Sequence, residues 1–114
     1  MHLARTGGEM KPLRISPEQL REYARFFYAL KDPLRLRILL ALVQAGEMTV
    51  TELTRAVRVS QPLVSWHLGR LRAAGLVQVE RDGRIARYSV AVDKIRRLLS
   101  SFDELLATIS SEEK

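Results

Sequence analysis

The segment from Ser60 to Ala74 concentrates the side chains that have chemistry to offer. At 100° per residue, Val64, Leu68 and Leu71 fall within about 60° of one another and form the apolar face of a helix. Away from them lie Pro62, Ser65, Trp66, Gly69 and Ala73, with Gln61 near the edge and Arg70 beside them. A glutamine amide matches an adenine edge, a serine hydroxyl serves base or phosphate, and a glycine lets a duplex approach closely. Arg70 and Arg72 suit phosphates, as do Thr49, Thr51 and Ser60 at expected helix N-termini. This is recognition chemistry. The chain has no nucleophile with a base at workable spacing, no glycine-rich phosphate loop and no paired acidic motif, so an enzyme is not expected. His67 lies about 60° from the apolar stripe, where a structural, hydrogen-bonded histidine is expected rather than a ligand.

Charge points the same way. The 114 residues carry a net charge of +6, and 15 of the 19 basic residues are arginine. Between Arg55 and Arg97 ten basic residues stand against three acidic ones, whereas Asp103, Glu104, Glu112 and Glu113 face only Lys114 after Phe102. A positive field concentrated on one region is what a phosphate-binding surface requires, although net charge alone also fits a solvated face or an acidic membrane surface. Cysteine is absent, which excludes disulfides and thiolate metal sites and fits a reducing cytoplasm. With only His2 and His67 as histidines, neither a metal site nor a cofactor is expected. No stretch reads as a signal peptide or a membrane span.

The elements that must position these residues follow from capping and periodicity. Residues 1–15 contain Gly7-Gly8 and Pro12 and are expected to be a flexible arm. Ser16-Pro17-Glu18-Gln19 opens a first helix with a capping box and apolar residues at Leu20, Tyr23, Ala24, Phe27 and Leu30. Asp32-Pro33 stops it and starts a second, apolar on most sides, that reads as a central core helix ending at Gly46. Thr49-Val50-Thr51-Glu52 opens a short third helix with Leu53, Ala56 and Val57 inward. Ser60 caps the fourth, which Gly75 closes. Leu76–Arg81 and Arg84–Val92 alternate around Asp82-Gly83, a strong hairpin signal. A final helix runs from Asp93 to about Ile109.

Four helices, a hairpin and a helix predict a mostly helical α+β fold, a winged helix-turn-helix. The helix-turn-helix is placed at about 49–74 and a two-stranded β-wing at about 76–92. Terminal dimerisation helices are placed at about 16–30 and 93–110, within a domain over 16–110 followed by a tail at 111–114. Arg81, Arg84 and Arg87 on the wing are candidate phosphate contacts, Arg84 foremost because it adjoins the turn.

The sequence also resembles the ArsR/SmtB family of bacterial repressors across roughly residues 18–110. Ala29-Leu30-Lys31-Asp32-Pro33-Leu34-Arg35-Leu36-Arg37-Ile38-Leu39 looks like that family's helix-opening segment. Val59 to Leu68, with Leu71-Arg72-Ala73-Ala74-Gly75-Leu76-Val77, looks like its recognition helix and the approach to the wing. Arg81-Asp82-Gly83-Arg84 with Arg87-Tyr88-Ser89-Val90 matches its wing. The resemblance implies an obligate dimer, an inverted-repeat operator on double-stranded DNA, repression relieved by a signal, and operator contacts at Gln61, Pro62, Ser65 and Trp66. Trp66 departs from the polar or basic residue usual there; it could press on thymine methyls, pack on sugar or serve the free protein. Where metal-sensing relatives carry Cys-x-Cys, this chain reads Leu53-Thr54-Arg55-Ala56, and its final helix has no histidine.

The dimer is also expected from the last helix, where Ile95, Leu98, Leu99, Phe102, Leu105, Leu106 and Ile109 form a heptad-like stripe. Burying it contributes on the order of 10 kcal/mol gross, at about 1.5–3 kcal/mol per side chain. Leu20, Tyr23 and Phe27 of the first helix are expected to share that interface. A small-molecule effector pocket lined by Tyr23, Phe26, Phe27 and Phe102 is compatible with this reading. The competing function is a winged-helix module that binds proteins without reading bases.

Overall fold

The computed structural model describes residues 12–112. Most of the expected arm, His2 included, and residues 113–114 of the expected tail lie outside the described residues. The chain forms α1 (Pro17–Ala29), α2 (Pro33–Ala45), α3 (Val50–Val57), α4 (Gln61–Ala73), β1 (Val77–Asp82), β2 (Ile85–Val90) and α5 (Val92–Glu112).

Local chemistry explains the boundaries. Ser16 Oγ accepts from Gln19 N–H at 3.1 Å while Gln19 Oε1 accepts from Ser16 N–H at 2.9 Å, closing the box that starts α1. Thr49 and Glu52 repeat it at α3, with distances of 2.9 and 3.1 Å. Asp32 Oδ1 accepts from the N–H groups of Leu34 and Arg35, and Pro33 takes the first helical position of α2. Arg58 ends α3 at φ 61, so the tight turn into α4 uses a left-handed residue that is not glycine. At the far end of α4, Leu76 N–H reaches Leu71 C=O and Gly75 N–H reaches Arg72 C=O, the Schellman pair. Gly75 has φ 75 there, and a Cβ would collide with the Lys94 ammonium.

Several boundaries and faces differ from expectation. Ser60 occupies the cap position of α4 but makes no side-chain capping bond. The hairpin register pairs Asp82 with Ile85, so the two-residue loop is Gly83-Arg84 rather than Asp82-Gly83. Gly83 has φ 63 and Arg84 does not, the pattern of a II′ turn with glycine first. Helix α5 starts at Val92, with Asp93 inside its first turn, and continues through 111–112, which were expected in the tail. Ala56 is exposed, leaving Leu53 and Val57 as the buried side of α3.

The core draws on every element. Phe26 and Ala29 of α1, Ile38 and Leu42 of α2, Leu53 of α3, Val64, Leu68 and Leu71 of α4, and Leu76 with Val77 at the base of the wing are buried together. Thus α1 turns Phe26 inward, while Leu20 and Phe27 of its expected stripe stay exposed. Helix α2 is not covered all round as its composition suggested: Leu36, Leu40 and Val43 are open to solvent. The wing is strapped to the α2–α3 loop by two backbone bonds between Met48 and Tyr88, at 3.0 and 2.8 Å.

The two charges that interrupt α2 are fasteners. Arg35 is only 3% exposed; its Nη1 donates to Ala29 C=O at the end of α1, and its Nε donates to His67 Nδ1 on α4. Arg37 Nη2 donates to Val57 C=O, the last residue of α3. Helix C-termini leave carbonyls without intrahelical donors, and guanidinium groups satisfy them here. Arg35→Met keeps the length but strands a buried carbonyl and an imidazole nitrogen. Thermal unfolding should show a loss of about 3 kcal/mol, near 10–15 °C. Arg37→Met, which releases one partly exposed carbonyl, should cost about 1 kcal/mol.

Candidate nucleic-acid interface

Helix α4 buries Val64, Leu68 and Leu71 and turns Gln61, Pro62, Ser65, Trp66, Gly69 and Arg70 to solvent. Nothing lies within 4 Å of where a Gly69 Cβ would sit, so no part of this chain requires a glycine there. With no side-chain cap, the first turn of α4 keeps its free N–H groups and positive dipole end on the surface beside the Ser60 hydroxyl.

Trp66 is 55% exposed yet held firmly. Its ring meets the His67 imidazole edge to face with centroids 5.0 Å apart, and the Arg35 and Arg70 guanidinium carbons sit 5.6 and 5.5 Å from its centre. These contacts attract through the ring quadrupole and fix the indole on the outer face of α4. Arg70, expected to be free for phosphate, is thus also a support for Trp66. The sequence reasoning missed Arg35 in this role; the signal for it was an arginine at a buried position of an otherwise apolar helix.

Behind the indole, His67 is 4% exposed. Burial pushes its pKa below the usual imidazole value; the Asp32 carboxylate pulls it up and Arg35 pushes it down again. The neutral ring is the form that can accept the Arg35 Nε hydrogen. Asp32 is itself held below its ordinary value, first by the Arg35 N–H bond.

Around the wing the expected contacts separate. Arg84 sits in the turn, and with Thr49 and Thr51 it lines a notch of about 310 Å³ between the start of α3 and the wing tip. The Thr49 hydroxyl already accepts from Glu52 N–H, and the Glu52 carboxylate occupies the Thr49 N–H, so that helix start carries its own anion. Thr51 is exposed. Strand register puts Arg81 opposite Ala86 and Arg87 opposite Glu80, on opposite faces of the ribbon. Arg87 also lies 3.8 Å from Glu47. Of the three wing arginines, Arg84 alone shares a notch with other candidate contacts.

On the opposite side, α1 meets α5. Tyr23, Phe27 and Phe102 pack edge to face at 5.1 Å, and the Tyr23 hydroxyl is hydrogen-bonded to Ser101. Phe26 points into the core at 2% exposure. In the single chain these rings pack against one another. Leu98 is buried and Ile95, Phe102, Leu105 and Ile109 are half-buried, whereas Leu20, Phe27, Leu99 and Leu106 lie 41–55% exposed in the single chain.

Residues 32–79 match the bacterial regulatory proteins of the arsR family. The chain is 39% identical over 90 residues to a transcriptional repressor SmtB homolog of Synechocystis, covering 79% of this chain and 67% of that one. The chain belongs to the arsR family. Among solved structures, an ArsR-like transcriptional regulator from Rhodococcus superposes with a TM-score of 0.77 at 27% identity, covering 83% of this chain and 89% of that one. The homodimeric winged helix-turn-helix DNA-binding domain Mb0332 from Mycobacterium bovis gives 0.67 at 28% identity, with 92% of each chain covered.

This ArsR-family protein is therefore a winged helix-turn-helix transcriptional regulator. Among the described residues no group of three or more His, Cys, Asp or Glu side chains is placed to hold a metal ion, and the Thr54 hydroxyl is buried without a partner. No helix among them is long and apolar enough to cross a membrane.

The depressed His67 gives a pH dependence of definite sign. Above about pH 6.5, the unfolded imidazole value, the ring is neutral in both states and stability is full. As pH falls below that value the unfolded chain takes up the proton first, so stability declines toward the lower folded pKa. The depressed Asp32 and Glu52 add a second loss below about pH 4.5. Thermal midpoints from pH 8 to 5 should show the first loss in the natural protein and a flatter profile in His67→Asn.

Proposed function

We propose that the protein is a homodimeric repressor that seats α4 in successive major grooves of an inverted-repeat operator, with Arg84 and the exposed Thr51 on flanking phosphates. It acts by binding, in the cytoplasm, with no catalytic step. One observation supports this above the others: the outward face of α4 offers Gln61, Ser65 and an uncapped N-terminus, while Arg84 at the wing tip lies beside the start of the preceding helix α3. Base-edge donors and acceptors next to phosphate-directed cations are what direct readout needs.

The apolar surface left by α1 and α5 supports the dimer. The radius of gyration is 18.5 Å and the long axis 62 Å, against about 13 Å for a compact domain of this length. Leu99 and Leu106 lie on an extended 21-residue helix, and a lone chain in water would leave them uncovered. A two-fold pairing along α1 and α5 covers them and sets two recognition helices about 34 Å apart. The Mycobacterium bovis relative is homodimeric, and the Synechocystis relative is named a repressor.

Operator titrations at several salt concentrations should give a slope of log K against log salt of about −5 to −9, from ~3–5 phosphates per protomer. Arg84→Ala should weaken all sequences alike and flatten that slope by about 2 per dimer. Gln61→Ala should cost about 1–3 kcal/mol of discrimination at one base pair per half-site. Equal affinity for scrambled DNA would instead favour a protein-binding module. Light scattering should report twice the 13.0 kDa chain mass, and Leu106→Arg should return a folded monomer.

A further inference from the structure

Where the ends of α1 and α4 meet the start of α2 there is a cavity of about 190 Å³, lined by Arg25, Tyr28, Ala29, Arg35, Arg70, Ala73 and Ala74. Three of its seven lining residues are arginines and none is acidic. Lys31 Nζ rests over the Tyr28 ring at 4.7 Å, adding a fourth cation at the rim. The opposing charges are small. Two helix C-termini contribute about half an elementary charge each, and the Ala29 carbonyl is already taken by Arg35. The Asp32 carboxylate, at the start of α2, is bound to the N–H groups of Leu34 and Arg35.

We propose that this cavity captures a small oxyanion, the phosphate or carboxylate group of a solute, and that capture controls the recognition helix. Arg35 is committed to Ala29 and His67, so the exposed Arg25 and Arg70 forks are the ones that bind such a group bidentately, and the Tyr28 hydroxyl can add a donor. The volume holds roughly six waters at ~30 Å³ each, enough for a phosphomonoester or a tricarboxylate and short of the ~300–1,000 Å³ of drug-sized sites. Arg70 links the cavity to the groove-facing surface. It lines the one and stacks on Trp66 in the other. An anion that recruits Arg70 draws it from the indole and places negative charge beside a surface meant for phosphates. Operator binding weakens as a result. This last step rests on the operator-facing assignment of α4; capture itself does not.

Trp66 is the only tryptophan, so capture can be read without DNA. Inorganic phosphate and citrate are titrated at constant ionic strength held with chloride. A saturable change in Trp66 emission is expected, with affinity reduced about tenfold or more in Arg25→Gln. Arg25 is exposed, so that variant should keep the natural thermal midpoint. Emission that follows chloride alone, or a response indifferent to Arg25→Gln, overturns the proposal. A second arm uses the operator. In chloride, Arg25→Gln should bind as tightly as the natural protein; phosphate should then loosen the natural complex by about 5-fold or more and leave the variant unmoved. If Arg25→Gln already binds operator more weakly in chloride, with a shallower salt slope, the cavity serves DNA phosphate and the solute proposal fails. Saturable capture with no operator binding by either protein would sink the repressor reading and leave the anion site standing.

Discussion

The Arg35 guanidinium holds the structure's two working halves together. It is almost wholly buried, and it joins the last carbonyl of α1, on the side that packs against α5, to an imidazole on α4. A buried cation is costly unless its donors are satisfied, so its position tolerates little variation in how α1, α2 and α4 meet. The Asp32 carboxylate fixes the start of α2 from the other side of the same junction. The orientation of Trp66 on the outer face of α4 is a by-product of that junction.

Much of this was legible in the sequence because the signals were local. Capping boxes at Ser16 and Thr49, Asp32-Pro33, and glycines at 46 and 75 set element ends within a residue or so, and the spacing of Val64, Leu68 and Leu71 set the buried face of α4. The failures were of two kinds. At the hairpin, a II′ turn places glycine first and shifts the loop by one residue, a choice that Asp-Gly alone does not decide. Within helices, periodicity identifies apolar faces without saying what covers each of them. Helix α1 carries two such faces, and the one with Phe26 went inward although the Leu20–Phe27 stripe was the more regular.

The functional residues show the same division. Outward-facing positions on α4 follow from angle alone, and the candidates Gln61, Ser65 and Gly69 are exposed as that angle predicts. The partners that act on them come from distant segments: Arg35 sits 32 residues from His67, and Glu47 reaches Arg87 across the wing base. Three-dimensional neighbours also separated the wing arginines, which look equivalent in a list of charges and differ once strand register and nearby carboxylates are known.

The paired backbone bonds between Met48 and Tyr88 have a mechanical result. Tied at its root to the segment preceding α3, the ribbon is not free to swing independently of α3 and α4, so the wing and these helices form one stiff jaw. Under the pairing along α1 and α5 proposed above, the span between two such jaws is set where those helices meet, and a small rotation there carries wing and helix together without deforming either.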